Sequence, residues 1–451
     1  MNEVRMPGGG ARRLIGRFEG PEMRVWEGAL PEGGAARVLG FDTSDGALTD
    51  GYGLEEGLFA GRDVWSAWRF VRYDYDEEKY VDIVMYCGAD GKVRYSEAGG
   101  AFTELAGATF TSPPSAVVYR LYGDDSVLMF SATDRMAVWN GVDEVRRVDD
   151  SPLMTSVALH YERMFATAAG EANAVYFSDD LDPTNWDASD LEAGGFIQLL
   201  DERGRLLKVV DFLNYVYVFR EHGISRVTAY ASQEDFSVAN LYVAGGRIYE
   251  GSVCACGDVV MMLASDGLWS FDGYSASARL SSVRFRPSPS ASALFSNGKY
   301  YLAACTESED GSNDTLVVYD VRSGDYTLSR VALDRLCAVG DDVYGVTHEG
   351  RAGKVTACGA LFGTPMDKLW ESGTTDMDMP GRRKTVSSVA LRTAGDVTLT
   401  VETEEGERSW NIRGGDAPVR VRTCVAGEVF RFRIRSSSPG ARVGRLSYTV
   451  R

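Results

Sequence analysis

The sequence predicts an all-β protein: a β-propeller of six or seven blades, with an N-terminal arm before it and a β-sandwich-like region after it. Three observations lead there. From about Trp65 onward, short apolar or alternating runs end again and again at Gly, Asp or Asn turns. Similar sets of runs return every roughly 37 to 50 residues, the length of one four-stranded blade. No segment longer than about ten residues carries a capped helical period, and the span Asp190 to Leu200 is the nearest approach to one. The composition agrees, since 50 Gly, 22 Tyr, 19 Phe and 8 Trp suit short strands and tight turns.

Residues 1–64 read as an extended arm with the first strands, because turn formers crowd it (Gly8-Gly9-Gly10, Gly33-Gly34, Asp45-Gly46, Asp50-Gly51). Residues 65–374 read as the propeller. Its innermost strands are expected to begin near Tyr80, Ala116, Val157, Leu207, Ser252, Ala291 and Leu336. A second strand follows each after a turn, as in Asn214-Tyr215-Val216-Tyr217, Asn297-Gly298-Lys299-Tyr300 and Asp341-Asp342-Val343-Tyr344. Third strands match one another too: Met136 to Gly141, Gly223 to Val227, Gly267 to Gly273 and Leu316 to Asp320.

Residues 375–451 form a different unit. The runs Val386–Thr393, Val397–Glu402, Ser409–Ile412, Val419–Thr423, Val429–Ser436 and Arg445–Val450 alternate with polar outer positions, as in an antiparallel sandwich. The same runs are also compatible with closing the last blade.

The chain of 451 residues is ordinary in hydrophobic content (44%) and acidic overall, with a formal net charge of -18. A molecule-wide basic groove for nucleic acid is therefore excluded. The C-terminal region runs against this trend with Arg382, Arg383, Lys384, Arg420, Arg422, Arg431, Arg433 and Arg435. Such a basic unit on an acidic body suits either a solvated face or docking between copies or partners. No apolar run approaches membrane-spanning length, and no apolar leader follows Met1, so synthesis in a cytoplasm is expected.

Catalytic signatures are missing, and neither a catalytic nor a cofactor-binding residue is expected. The three His (His160, His222, His348) fall in separate repeats, and no P-loop, nucleophile elbow or dinucleotide glycine motif occurs. The seven Cys show no metal spacing, and the pair Cys254 and Cys256 reads as two small hydrophobes on one strand face. The only weak metal candidates are Asp179, Asp180, Asp182 and Asp187, with Asp190 just beyond. They lack the loop Gly and terminal Glu of a calcium hand, and Asp or Asn before Pro forms turns through its own side chain. A pair of carboxylates close in space, as glycoside hydrolysis requires, remains a second possibility. Ser265-Asp266-Gly267-Leu268-Trp269 faintly resembles the structural Asp box of sialidases, with the Gly and Trp misplaced.

The stretch Ala174-Val175-Tyr176-Phe177-Ser178-Asp179-Asp180-Leu181-Asp182-Pro183-Thr184-Asn185-Trp186-Asp187 resembles a phrase of tailed-bacteriophage structural proteins. Leu213 to Ile224, Ser265 to Gly273 and the Arg-rich C-terminal strands are similar to theirs as well. The resemblance covers roughly residues 150 to 451 and implies a β-propeller component of a virion: a neck, tail hub, nozzle or head–tail connector protein. It implies a homo-oligomer that contacts other virion proteins, with transient proximity to DNA in a conduit, and no enzyme activity. The alternative is a carbohydrate-binding or glycoside-cleaving propeller.

Overall fold

The computed structural model describes residues 4–5, 11–23, 25–31, 33–97, 99–189, 193–230, 233–415 and 417–451. Gly8 to Gly10 and Asp190 lie outside them. Six consecutive antiparallel sheets of four strands follow one another along the chain. Their inner strands are Val64–Asp74, Ser115–Leu121, Met154–His160, Leu206–Phe212, Cys254–Cys256 and Ser292–Ser296. The seventh blade has Arg335–Val339, Asp342–Val346 and Ala352–Thr356, and it takes its outer strand from Gly53–Glu55 at the other end of the chain. The molecule is a seven-bladed propeller closed by that borrowed strand.

Seven separate apolar clusters prove the ring is closed, because one fills each junction between neighbouring blades. The last of them joins blade seven (Val339, Tyr344, Val346) to blade one (Val64, Ala67, Tyr86), with Phe59 buried between. This packing also explains why second strands lose their alternation. In Val259–Ala264, Val260 and Met262 face blade four while Met261 and Leu263 face blade six. A strand covered on both faces becomes apolar throughout.

The remaining strands form a two-sheet sandwich. One sheet runs in the order Val4–Arg5, Ala11–Ile15, Arg442–Val450, Lys384–Ala394, Val419–Gly427. The other runs Ala35–Leu39, Lys368–Ser372, Phe430–Ser436, Val397–Thr403, Gly406–Ile412. Trp370, Phe432, Ile434, Leu446 and Tyr448 fill the space between them. The sandwich is tied to blade six through Gly40 N–H donating to Leu328 O (2.9 Å), Met23 N–H to Ser282 O (2.7 Å) and Tyr326 O–H to Pro21 O (2.5 Å).

Three expectations change. The strand at Tyr80 is the second of blade one, since Val64–Asp74 lies inside it; its Trp, Arg and Tyr make it look too polar for an inner position. Residues 1–64 are not an arm reaching outward. Ala11–Ile15 and Ala35–Leu39 complete the two sandwich sheets, and Gly53–Glu55 closes the ring, because open sheet edges gain backbone partners there. The boundary at 374 moves too, as Lys368–Ser372 belongs to the sandwich, where Trp370 is fully buried.

Candidate functional site

In an up-and-down blade, the turn joining the first two strands and the loop joining the last two lie on the same face. Contacts across blades join several of these segments of blades one to five into one surface. Tyr75 O–H donates to Gly123 O of blade two, and Tyr122 O–H donates to Asp182 Oδ2 of blade three at 2.5 Å. Tyr161 of blade three lies 5.6 Å from Tyr230 of blade four, ring centre to ring centre. Tyr217 O–H then reaches Gly273 O of blade five.

Large apolar side chains stand exposed along this surface: Tyr75, Tyr122, Val142, Tyr161, Leu181, Leu213, Tyr230 and Tyr274, with Tyr80 beside them. Tyr122 is 78% exposed, Tyr274 72% and Tyr80 74%. The segments are 75–78, 98–102, 122–123, 140–145, 161–162, 178–194, 213–214, 229–236, 257–258 and 272–275. Among their described residues they hold fourteen Asp and Glu and no Lys or Arg. The opposite face of the same blades is mixed, with Arg135, Arg203, Arg205, Arg247, Arg284 and Arg286 among its carboxylates.

Four of these residues have left-handed backbone, a conformation that Leu280, Phe362, Met377 and Cys424 adopt elsewhere in the chain. Tyr122, Tyr161, Leu181 and Leu213 have φ of 51, 43, 61 and 47°. Left-handed backbone costs a bulky L-residue roughly 1–2 kcal/mol. At the matching turn of blade six the chain has Asn297-Gly298, the favoured pair for a two-residue hairpin in which both φ are positive. Blades two, three and four therefore place Tyr or Leu where Asn or Gly is easier, and leave the side chain in solvent. Tyr122 and Tyr161 each make one contact to a neighbouring blade, yet more than half of each side chain is left in solvent, open to contact with something outside the chain.

The acidic segment of blade three is organised as turns. Thr184 N–H and Oγ1 donate to Asp182 Oδ1, and Asn185 Nδ2 donates to Asp179 Oδ2. Ser189 N–H and Oγ donate to Asp187 Oδ1, while Asp179 Oδ1 accepts from the N–H of Asp180. Burial works against ionisation of Asp182, yet hydrogen bonds from Thr184 and Tyr122 hold its carboxyl below the usual range. The same hydrogen bond raises the Tyr122 phenol. Asp179, Asp182 and Asp187 thus bind separate partners, and among the described residues no group of three His, Cys, Asp or Glu, Asp180 included, converges as a metal site.

The histidines do not meet either. His160 is buried and paired through Nδ1 with Asp211 at 2.7 Å, His348 pairs with Asp334, and the backbone of His222 bridges a turn. Cys254 and Cys256 pack in the core between blades five and six. Asp266 accepts the indole N–H of Trp269 at 3.0 Å, a structural bond within one hairpin. Sequence reasoning missed the tyrosine turns. Their signal was present in the comparison of Asn297-Gly298 with Tyr122-Gly123, but only the backbone angles and the shared face give it meaning.

Fold and surface together define a seven-bladed propeller with one acidic, tyrosine-rich face. No family model and no curated protein matches the chain. Among solved structures it is similar to BBS1N in its complex with ARL6DN, in crystals soaked with lead and with mercury. Each shows 9% identity and a TM-score of 0.42, and covers 68% of this chain and 95% of that chain.

Proposed function

We propose that the chain is a non-catalytic docking protein whose working surface is the tyrosine-and-carboxylate face of blades one to five, and that its setting is the neck or tail of a tailed-phage virion. The observation that carries the docking role is the set of exposed Tyr and Leu turn residues, several in left-handed backbone, on turn segments whose described residues include fourteen Asp and Glu and no Lys or Arg. Aromatic anchors of this kind dominate protein interfaces. The carboxylates around them favour a basic protein surface and repel nucleic acid. The setting draws on the likeness of Ala174 to Asp187 to phage structural phrases.

Exposed tyrosines beside carboxylates also favour the carbohydrate alternative. However, rings that are 72–78% exposed on turn tips fit a flat partner better than a sugar, which is usually enclosed in a recess. The test is hydroxyl-radical footprinting of the purified chain against the chain within the particle or complex that contains it. Protection of Tyr122, Tyr161 and Tyr274 on assembly is expected. Equal labelling in both states overturns the reading, and glycan-dependent protection would replace it with the carbohydrate one.

A further inference from the structure

The acidity of the chain is unevenly placed. Residues 53–356 contain 46 Asp and Glu against 26 Lys and Arg, a net charge of -20, so the rest of the chain is slightly basic. Within the sandwich the basic residues divide into two kinds. In one sheet Arg433 is held by Glu371 at 2.6 Å, Glu402 at 3.0 Å and Glu407 at 3.0 Å, and Arg431 pairs with Glu27. Most of its charge is spent internally, although Arg408 and Arg435 stand exposed.

In the other sheet Arg13 pairs with Asp378 and Arg442 with Asp45, each at 3.0 Å, and Lys384 is buried, but the remaining arginines are open. Its strands Ala11–Ile15, Arg442–Val450, Lys384–Ala394 and Val419–Gly427 contain eight Lys and Arg and no Asp or Glu. Their register sorts the side chains. Ile15, Val389, Leu391, Leu446 and Tyr448 point into the core. On the outer surface Arg392 lies opposite Arg445, Arg420 opposite Ala390, and Arg422 opposite Ser388, which in turn faces Thr449 beside Arg12. Arg12, Arg392, Arg420, Arg422 and Arg445 are all exposed, and Leu14 stands exposed among them. Among the described residues none of these five arginines has a carboxylate partner; Arg12 donates to Ser447 Oγ at 3.1 Å.

We propose that this arginine sheet docks, head to tail, on the tyrosine-and-carboxylate face of a second copy of the chain. The inference rests on that face being a docking surface, and it names the partner. Charge complementarity carries it: one surface presents five exposed arginines without a carboxylate partner, and the other holds fourteen acids in its turn segments against Lys79, Arg120 and Arg146 at their edges. Arginine also stacks on tyrosine, so the chemistry matches beyond net charge. Four strands about nine residues long cover roughly 600 Å², which over two partners reaches the lower range of specific interfaces. The two surfaces sit on different parts of one molecule, since the sandwich lies beside blade six. The contact is therefore heterologous and builds rings or chains of copies.

Sedimentation and mass photometry of the full chain test this. Expected are species above the 49.2 kDa monomer, dissociating as NaCl rises from about 50 to about 500 mM. Two variants are made on exposed positions: Arg420→Glu with Arg422→Glu and Arg445→Glu, and Tyr122→Lys with Tyr161→Lys and Tyr274→Lys. Unchanged circular dichroism checks folding, and the Arg→Lys triple retains assembly. Each charge-changing variant alone is expected to be monomeric. Mixed, they form only dimers of twice the chain mass, because one functional surface of each kind remains.

A wild type that stays monomeric up to about 50 µM overturns the inference. So does assembly that neither variant disturbs. Binding of duplex DNA or phosphatidylserine vesicles through the same arginines, in place of self-association, overturns it in favour of a polyanion. The failures are distinguishable. Monomers whose tyrosines are still protected in the particle sink only the second-copy inference. Assembly that depends on the arginines but ignores the tyrosines sinks the docking face itself.

Discussion

Replacing Tyr122 with asparagine separates what the fold needs from what the surface is for. Tyr122 has φ of 51° and is followed by Gly123 at 99°, so the turn has the geometry that Asn-Gly fills best. Relief of the left-handed backbone is worth about 1 kcal/mol, the part of the roughly 1–2 kcal/mol penalty that Asn avoids. Against it stands the exposed hydrogen bond to Asp182, worth about 0.5 kcal/mol. The ring is 78% exposed, so little apolar burial is lost. The variant should therefore be stabilised by roughly 0.5 kcal/mol in denaturant unfolding, with an unchanged slope. It should also bind its partner at least tenfold more weakly, as expected for loss of an aromatic anchor. A variant destabilised by more than about 1 kcal/mol would show that Tyr122 holds the blades together, and would refute the claim that its exposed ring serves an external contact.

Other expectations concern the scaffold. Leu54, fully buried in the closing strand, packs against Gly345 and Gly353, which have no side chain to collapse into a void. Leu54→Ala should cost about 3–5 kcal/mol and speed amide exchange in Ala352–Thr356, while Leu181→Ala changes stability by less than about 0.5 kcal/mol. Burial pushes the Cys87 thiol up to about 12, so it should resist Ellman's reagent at pH 8 until the chain unfolds. Burial likewise pushes the Tyr326 phenol from 10.0 to about 12. Its folded value lies above its unfolded one, so its stabilising effect is complete below pH 10 and is lost as pH rises towards 12. Comparing the 295 nm titration of wild type and Tyr326→Phe checks this. Lys384→Met should cost about 2–4 kcal/mol, since its buried Nζ donates to the carbonyls of Asp376, Met379 and Glu428.

Much of the architecture was legible because it is local. Inner strands of blades two to seven lie within three residues of the positions read from periodicity, and the C-terminal strands match closely. Hairpins with turn dipeptides announce themselves, as at Asn297-Gly298. What escaped depends on distance along the chain. Gly53–Glu55 is three residues long and has no periodicity, so nothing local tells that it pairs with Ala352–Thr356. Ala11–Ile15 reads as part of an extended arm until Arg442–Val450 is placed beside it. The basic C-terminal residues could be counted in sequence, but not sorted into the neutralised Arg431 and Arg433 and the open Arg420, Arg422 and Arg445. That sorting is made by strand register. The tyrosine face was hidden for a similar reason, since the exposure of Tyr122 or Leu213 follows from turn type and from which end of the blade it occupies.

The strand Arg442–Val450 lies in the middle of the arginine sheet, between Ala11–Ile15 and Lys384–Ala394. Arg12 reaches that surface from the first strands, while Arg392, Arg420, Arg422 and Arg445 come from the last ones. Lys384–Ala394 and Val419–Gly427 pair with each other directly, so loss of Arg442–Val450 would leave that hairpin standing with an open edge and would detach Ala11–Ile15 from it. One strand thus both completes the arginine surface and ties the two distant parts of the chain together, so fraying of either end would be felt at the same place.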